Sequence, residues 1–188
     1  MRFQVPIQTC CCLLLACVPL VAQKGSAALS EAEEEQVREA AIDPSHRVAV
    51  YQAIIETRVK RIQDVLANTR AQGRREDIRK NMDEITGLVD ELQDNLEEYE
   101  HAHRDLRKPL PKLLDAALRW ESVLKQPPDS DTYNLTRKLA LEAVADIKKE
   151  AGEMLPAETA YFKEHPPNKN PDPNTVGPVE GAERKNPK

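Results

Sequence analysis

Cysteine is confined to the start of this chain of 188 residues, where Cys10, Cys11, Cys12 and Cys17 lie within one apolar segment. A chain cleaved beyond that segment keeps no thiol. Such a chain forms no disulfide, and it lacks the side chain that thiol catalysis, iron–sulfur ligation and covalent haem attachment require. We therefore expect none of these chemistries in the mature protein.

Glycine and aromatic residues are also scarce, with 6 glycines and 4% aromatic residues in the whole chain. The sequence is rich instead in alanine, leucine, glutamate, lysine, arginine and glutamine, which favour helix over strand. No segment has a convincing strand pattern. The composition predicts an all-α fold.

A basic face is missing as well, because the formal net charge is −5 and lysine and arginine alternate with acidic residues along every predicted helix. Proteins that bind nucleic acid need a basic surface to neutralise phosphates. The local basic cluster at Arg70, Arg74 and Arg75 is interpreted as a solvated turn between helices. Nucleic acid is not an expected partner.

Residues 1–22 have the pattern of a signal peptide, with Arg2 near the start, an apolar run to Val21, and the small residue Ala22 before a polar stretch. The apolar run is too short to span a membrane comfortably. The segment predicts export to the periplasm or the secreted space.

Three processing routes stay open. Cleavage after Ala22 is the favoured one, because the apolar run continues past Cys17. The sequence Leu14-Leu15-Ala16-Cys17 also resembles the bacterial lipobox, which makes Cys17 a candidate for lipidation and the chain a candidate lipoprotein. The third route is an uncleaved membrane anchor. Membrane contact is expected only for the second and third routes.

Two long amphipathic helices of similar length dominate the predicted fold. The first begins at Asp43-Pro44, an N-cap followed by proline at the first helical position, and ends near Gln72-Gly73. The second runs from about Arg75 to Arg107. Apolar residues at spacings of three and four form its stripe: Ile78, Met82, Ile85, Val89, Leu92, Leu96, Tyr99, His103 and Leu106. A tight turn between equal helices predicts an antiparallel hairpin.

Three further helices complete an elongated antiparallel bundle of about four main helices. A capping box, Ser30 with Glu33, opens a short acidic helix whose docking candidates are Leu29, Val37, Ala40, Ala41 and Ile42. An apolar helix with Trp120 in the core follows Pro109 and Pro111. The last helix begins near Ser130 or Asp131, carries apolar residues such as Leu139 and Val144, and meets Pro156, with a kinked extension possible to Glu164.

Residues 30–164 form the predicted bundle domain, behind a linker at 23–29. About 135 residues bury about two thirds of their unfolded surface, so the core needs neither disulfide nor metal. From His165 to the end, proline alternates with polar residues, and the segment 165–188 is predicted to be a disordered proline-rich tail.

The second long helix also carries the candidate metal ligands. Glu98 with His101, and Glu100 with His103, each have the Glu-x-x-His spacing of carboxylate–metal sites in bundles. No other helix supplies a second such motif, and His101 and His103 lie about 200° apart around a regular helix. We therefore favour His103 as a histidine at the edge of the core, with metal ligation as the alternative.

The sequence predicts no enzyme and no cofactor, because it contains no nucleophile elbow, no phosphate-binding glycine loop and no His-Glu-x-x-His motif. We expect an exported, non-catalytic helical bundle that binds or scaffolds other proteins of the cell envelope or the secreted space. The alternative is a metal- or cofactor-binding bundle. The oligomeric state stays open, because such helices pair within one chain or as a coiled coil between two.

Overall fold

The computed structural model describes residues 28–166, so the predicted signal peptide with Cys17, and the tail after Pro166, lie outside the described residues. Between Ala28 and Pro166 the chain contains helices and no strand, which confirms the all-α prediction. The helices are α1 (Glu31–Glu39), α2 (Pro44–Ala67), α3 (Arg74–His101), α4 (Pro109–Leu124) and α5 (Asn134–Glu164). A short 3-10 helix, Ala40–Ile42, joins α1 to α2.

The predicted start signals of α1 and α2 are confirmed. The Asp43 carboxylate accepts a hydrogen bond from the Ser45 amide at 2.9 Å, and Pro44 is the first residue of α2. The Glu33 carboxylate accepts from both the amide and the hydroxyl of Ser30, each at 2.9 Å. The local sequence is therefore sufficient to predict where these two helices begin.

Four helices form a ring in the order α2, α3, α5, α4, in which each helix packs against its two neighbours. Helices α2 and α3 are antiparallel, since Tyr51 pairs with Glu91 and Arg58 with Glu84. Helices α4 and α5 are antiparallel too, since Glu121 pairs with Lys148 and Leu114 lies near Gly152. Helix α5 runs parallel to α3, because both the starts and the ends of these two helices lie together. The segment from 102 to 108 must therefore cross the end of the bundle diagonally to connect α3 with α4.

The core lies inside this ring. The α3 stripe from Ile78 to Tyr99 is buried as predicted, and Trp120 of α4 is completely buried, which confirms its core position. The largest fully buried side chains come from α2, α3, α4 and the 102–108 segment: Ile55, Ile62, Met82, Ile85, Leu88, Leu92, Leu96, Leu106, Leu110, Leu113, Trp120 and Leu124.

Several predicted helix ends are wrong. Helix α2 stops at Ala67, and Gly73 adopts the predicted left-handed conformation (φ 70°) at the start of α3 instead of the end of α2. Helix α5 begins at Asn134, later than predicted, and continues through Pro156 to Glu164 as one helix. The preceding residues from Ser130 form a hydrogen-bonded turn, in which the Ser130 carbonyl accepts from the Asn134 amide at 2.9 Å.

Helix α3 ends at His101, before the predicted end at Arg107. His103 takes a left-handed conformation with φ 50°, a region that residues other than glycine rarely occupy. The Arg104 amide donates to the Tyr99 carbonyl at 2.8 Å and the His103 amide to the Glu100 carbonyl at 3.0 Å. These two bonds form a Schellman cap in which His103 occupies the position that usually holds glycine.

No helix in the described range is both long enough and apolar enough to cross a lipid bilayer.

Candidate functional site

The candidate site is the end of the bundle where α2 begins, α3 ends, α4 begins and α5 ends. We call it the histidine end and define it as residues 42–47, 98–112 and 158–165. The Arg104 guanidinium donates to the Ile42 carbonyl at 3.0 Å, which joins the 102–108 segment to the start of α2. Side chains distant in the sequence thus share one surface.

Aromatic rings meet at this end. The His103 and Tyr161 rings stack with centroids 4.3 Å apart, and the His165 ring also stacks on Tyr161, at 4.5 Å. The Arg107 guanidinium lies 4.7 Å from the centroid of the Phe162 ring, within cation–π range. Stacking on Tyr161 therefore offsets part of the strain of the left-handed His103 backbone.

The four predicted metal-ligand candidates are all exposed: Glu98, Glu100, His101 and His103. The helical spacing assumed for Glu100 and His103 is wrong, because His103 lies beyond the end of α3. Glu98 and His101 do share an open depression of about 530 Å³ with Asp94 and Glu97. In residues 28–166, no three His, Cys, Asp or Glu side chains are grouped closely enough to hold a metal ion.

The core-edge role favoured for His103 is also wrong, since its side chain is exposed outside the bundle. The prediction assumed that the three-and-four spacing of α3 continues to Leu106. The chain leaves the helix at Ala102 instead, and Leu106 reaches the core from the 102–108 segment.

Glu158 of α5 lies beneath the 102–108 segment and is only 4% exposed. Its carboxylate accepts a long hydrogen bond of 3.4 Å from the Leu106 amide. Burial raises the pKa of Glu158, and the nearby carboxylates of Asp105 and Glu100 raise it further. This acid therefore holds the crossing segment at the histidine end and retains its proton more readily than an exposed glutamate.

A second acidic group with a raised pKa lies between α3 and α5. Burial raises the pKa of Glu150 to about 7, and Glu97, Glu100 and Asp94 add negative charge nearby. One oxygen of this carboxyl, Oε1, is buried without a hydrogen-bond partner. The neutral acid is therefore more compatible with this position than the carboxylate.

Arg58 is a charged residue on the apolar face of α2, and it is only 3% exposed. Its guanidinium donates to both oxygens of Glu33 at 2.6 and 2.7 Å, to Glu84 at 2.6 Å, and to the Ala28 carbonyl at 2.9 Å. The bond from Arg58 lowers the pKa of Glu33 to about 2. We call these four residues the Arg58 network. It fastens α1 to the α2–α3 hairpin.

Sequence reasoning missed the Arg58 network, although a signal was available. Arg58 lies three residues after Ile55 and four before Ile62, so it falls among the apolar positions of α2. A charge at such a position indicates a buried partner of opposite sign. The docking residues proposed for α1 are correct only in part: Val37 and Ala40 are buried, whereas Ile42 is 86% exposed.

Two leucines at the opposite end of α5 point outward. Leu135 is 70% exposed and Leu139 is 46% exposed, so neither side chain lies in the core. Residues four apart lie on the same face of a helix, one turn from each other. Together they form what we call the leucine pair, which lies beside an open polar depression lined by Arg75 and residues 129–132 and 134.

Comparison with family models, with curated proteins and with solved structures returned no match to this chain.

Proposed function

We propose that this chain is an exported, non-catalytic helical bundle that binds another protein of the cell envelope or the secreted space through the leucine pair. The observation that carries the proposal is the exposure of Leu135 and Leu139 on adjacent turns of α5. Apolar side chains at this spacing are the anchors that a helix presents to a hydrophobic groove.

The surroundings of the leucine pair support this role. Lys138 and Glu142 form an ion pair with 3.6 Å between charged atoms on the same helix, and both are exposed. A protein interface commonly has an apolar centre with a polar rim. Two leucines bury little area, so the complex is expected to be transient.

The test compares three forms of the exported chain as bait in extracts of the cell that makes it. We expect the wild type and the Leu118→Ser variant to retain the same partner, and the Leu135→Ser/Leu139→Ser variant to lose it. Leu118 is a matched control because it is 56% exposed on α4, away from the pair. Retention of an identical set of proteins by all three baits would refute binding through the leucine pair.

Solution molar mass and intact mass complete the test. A dimer that dissociates in the Leu135→Ser/Leu139→Ser variant would make the pair a self-association surface and overturn binding to another protein. Intact mass of the chain recovered outside the cytoplasm should match cleavage after Ala22, lipidation of Cys17 or, for an uncleaved anchor, the full chain. Recovery of the chain in the cytoplasm alone, at its full mass, would overturn export.

A further inference from the structure

The segment 28–42, with α1 at its centre, covers a groove between α2 and α3. Helix α1 and the 3-10 helix pack on α2. Ala28 lies against α3, where a Cβ atom on Gly87 would be 3.6 Å from the Cβ of Ala28. Arg58 of α2 lies beneath the segment and joins it to Glu84 of α3. We call this surface the Arg58 groove and define it by Arg58, Glu84 and Gly87.

The Arg58 guanidinium selects a carboxylate. Its two terminal nitrogens donate to the two oxygens of Glu33 at 2.6 and 2.7 Å, while Nε donates to Glu84 at 2.6 Å. Two parallel bonds of this kind match the planar geometry of a carboxylate, and a lysine cannot form them. Once α1 leaves, Arg58 keeps Glu84 and faces the groove with the edge that Glu33 occupied. The groove therefore favours a helix that carries an acidic side chain at this position.

The segment 28–42 presents its anchors at the spacing that a helix uses in a groove. Glu33 is followed four residues later by Val37 and seven residues later by Ala40, and these three are the residues of 31–42 that are not exposed. Anchors at the first, fifth and eighth positions are typical of an amphipathic helix bound in a groove. Both apolar anchors of α1 are smaller than leucine, so they bury little apolar area.

The attachment of α1 is weak. A helix of nine residues is marginally stable without packing, and Glu31, Glu35 and Glu39 place like charges one turn apart along it. A buried ion pair contributes little net stability compared with apolar packing. The largest fully buried side chains of the core lie outside α1. Release of α1 is therefore a local opening that leaves the core in place.

We propose that the Arg58 groove binds an acidic amphipathic helix of another protein, and that α1 is a strap that occupies the groove until such a helix replaces it. Helix α1 itself shows the chemistry that fits: a carboxylate for Arg58, with apolar residues four and seven positions later. A partner helix with leucine or isoleucine at the two apolar positions buries more apolar area than α1 and displaces it.

A second copy of this chain is not the expected occupant. Its α1 brings the same contacts as the chain's own α1, without the high effective concentration that a covalent tether provides. The inference also does not depend on the leucine pair, which lies on α5.

The first test uses a labelled peptide with the sequence of residues 28–42 as the probe, and the expected mature chain that begins at Gln23. The Glu33→Gln variant of the chain should bind this peptide at least about tenfold more tightly than the wild type, because its own strap is weakened. Glu34→Gln, at an exposed neighbouring position on α1, is the matched control and should bind as the wild type does. Equal binding by the wild type and the Glu33→Gln variant would overturn the strap, whether or not α1 becomes sensitive to protease.

The same substitution in the peptide tests the role of Arg58. A peptide that carries Glu33→Gln should bind the Glu33→Gln chain at least about tenfold more weakly than the unchanged peptide, because it lacks the carboxylate. Equal affinity of the two peptides would show that Arg58 does not select an acidic helix.

A reversible lock provides a further test. Ala28→Cys/Gly87→Cys places two Cβ atoms 3.6 Å apart, within the range of a disulfide, and the chain from Gln23 has no other cysteine. Added to Glu33→Gln, the oxidised pair should weaken peptide binding at least about tenfold, because it keeps the strap at the groove, and reduction should restore binding. Equal binding in both redox states would place the peptide elsewhere and overturn the assignment of the groove.

The natural occupant is identified by its chemistry. In extracts of the cell that makes the protein, a photo-crosslinking side chain at position 87 of the Glu33→Gln variant should join to a segment that has a carboxylate followed four and seven residues later by apolar residues. Crosslinking to α1 of a second copy, to a basic segment, or to no protein would each overturn the proposal. Addition of Leu135→Ser/Leu139→Ser should leave the crosslink unchanged, so failure of this proposal and failure of binding through the leucine pair are distinguishable.

Discussion

Gly87 lies in the middle of α3 opposite the segment that leads into α1. A Cβ atom on Gly87 would lie 3.6 Å from the Cβ of Ala28, which is an ordinary van der Waals distance. Alanine is more favourable than glycine inside a helix by about 1 kcal/mol. We therefore expect Gly87→Ala to raise the free energy of unfolding by about 1 kcal/mol, measured by urea denaturation.

Gly73 provides a control for which the change in the free energy of unfolding should have the opposite sign. Its φ is 70°, and an alanine there is strained although no atom lies within 4 Å. Gly73→Ala should lower the free energy of unfolding by about 1 kcal/mol. Loss of stability in Gly87→Ala would show that Ala28 and α3 need a closer approach than the structure has.

Single residues were predictable where the interaction is local. The N-cap at Asp43 and the capping box at Ser30 and Glu33 depend on neighbours within three positions, and both formed as expected. The second partner of Glu33 is Arg58, 25 positions away. The exposure of Ile42 likewise depends on which elements meet at the histidine end. Periodicity places Arg58 among the apolar positions of α2, but the identity of its partner and the exposure of Ile42 follow from tertiary packing.

Helix α1 is bound to α2 through one charged side chain, Arg58. Arg58→Met would leave the Glu33 and Glu84 carboxylates without their guanidinium partner, at side-chain exposures of 17% and 15%. Breaking a buried ion pair from one side costs about 3–5 kcal/mol. We expect α1 to detach, and limited proteolysis to cleave within residues 31–39 much faster than in the wild type.

Arg38→Met is the matched control for this prediction. Arg38 pairs with Glu35 inside α1, and both side chains are largely exposed, at 69% and 53%. Exposed pairs contribute at most about 1 kcal/mol, so α1 should stay protected. If α1 remains equally resistant to protease in Arg58→Met, its docking depends on Val37 and Ala40 and not on the Arg58 network.

At the scale of the helices, their number and order follow from the sequence, but the residues at which they end do not. The stripe of α3 continues in spacing through His103 to Leu106, yet the helix ends at His101. The chain must cross the bundle to reach α2 before α4 begins at Pro109, and proline disfavours helix at the preceding residue. A buried Leu106 satisfies the spacing without being helical. Beyond His101 the spacing therefore predicts the burial of Leu106 correctly, but it predicts neither the exposure of His103 nor the backbone conformation.

The ring order of the whole molecule also lay outside the sequence prediction. Matched lengths and a tight turn predict that α2 and α3 pair. The helix lengths and the turn do not determine whether α4 packs next to α3 or next to α2. That choice depends on the diagonal crossing from 102 to 108, which Glu158 holds through the Leu106 amide. The same crossing completes the histidine end, where Arg104 contacts the start of α2.

The pH dependence of global stability follows from Glu150. The raised pKa of Glu150, about 7 against an ordinary 4.5, means that the folded chain holds this proton between those values while the unfolded chain has released it. The stabilising contribution is complete below about pH 4.5 and is lost as the pH rises through about 7. Above pH 7 the buried carboxylate opposes folding.

Glu150→Gln should therefore stabilise the protein at about pH 8 and have little effect at about pH 4, because glutamine resembles the protonated acid. After allowance for the solvent that reaches this side chain, the gain at pH 8 is about 1 kcal/mol, or a few degrees in Tm. Thermal unfolding at both pH values measures it, and Glu153→Gln, at an exposed position on the same helix, is the matched control. An equal effect of Glu150→Gln at both pH values would mean that the carboxyl is charged in the folded chain at both. The hydrogen bond from Gln93, and not a proton, would then compensate for the burial of the carboxylate.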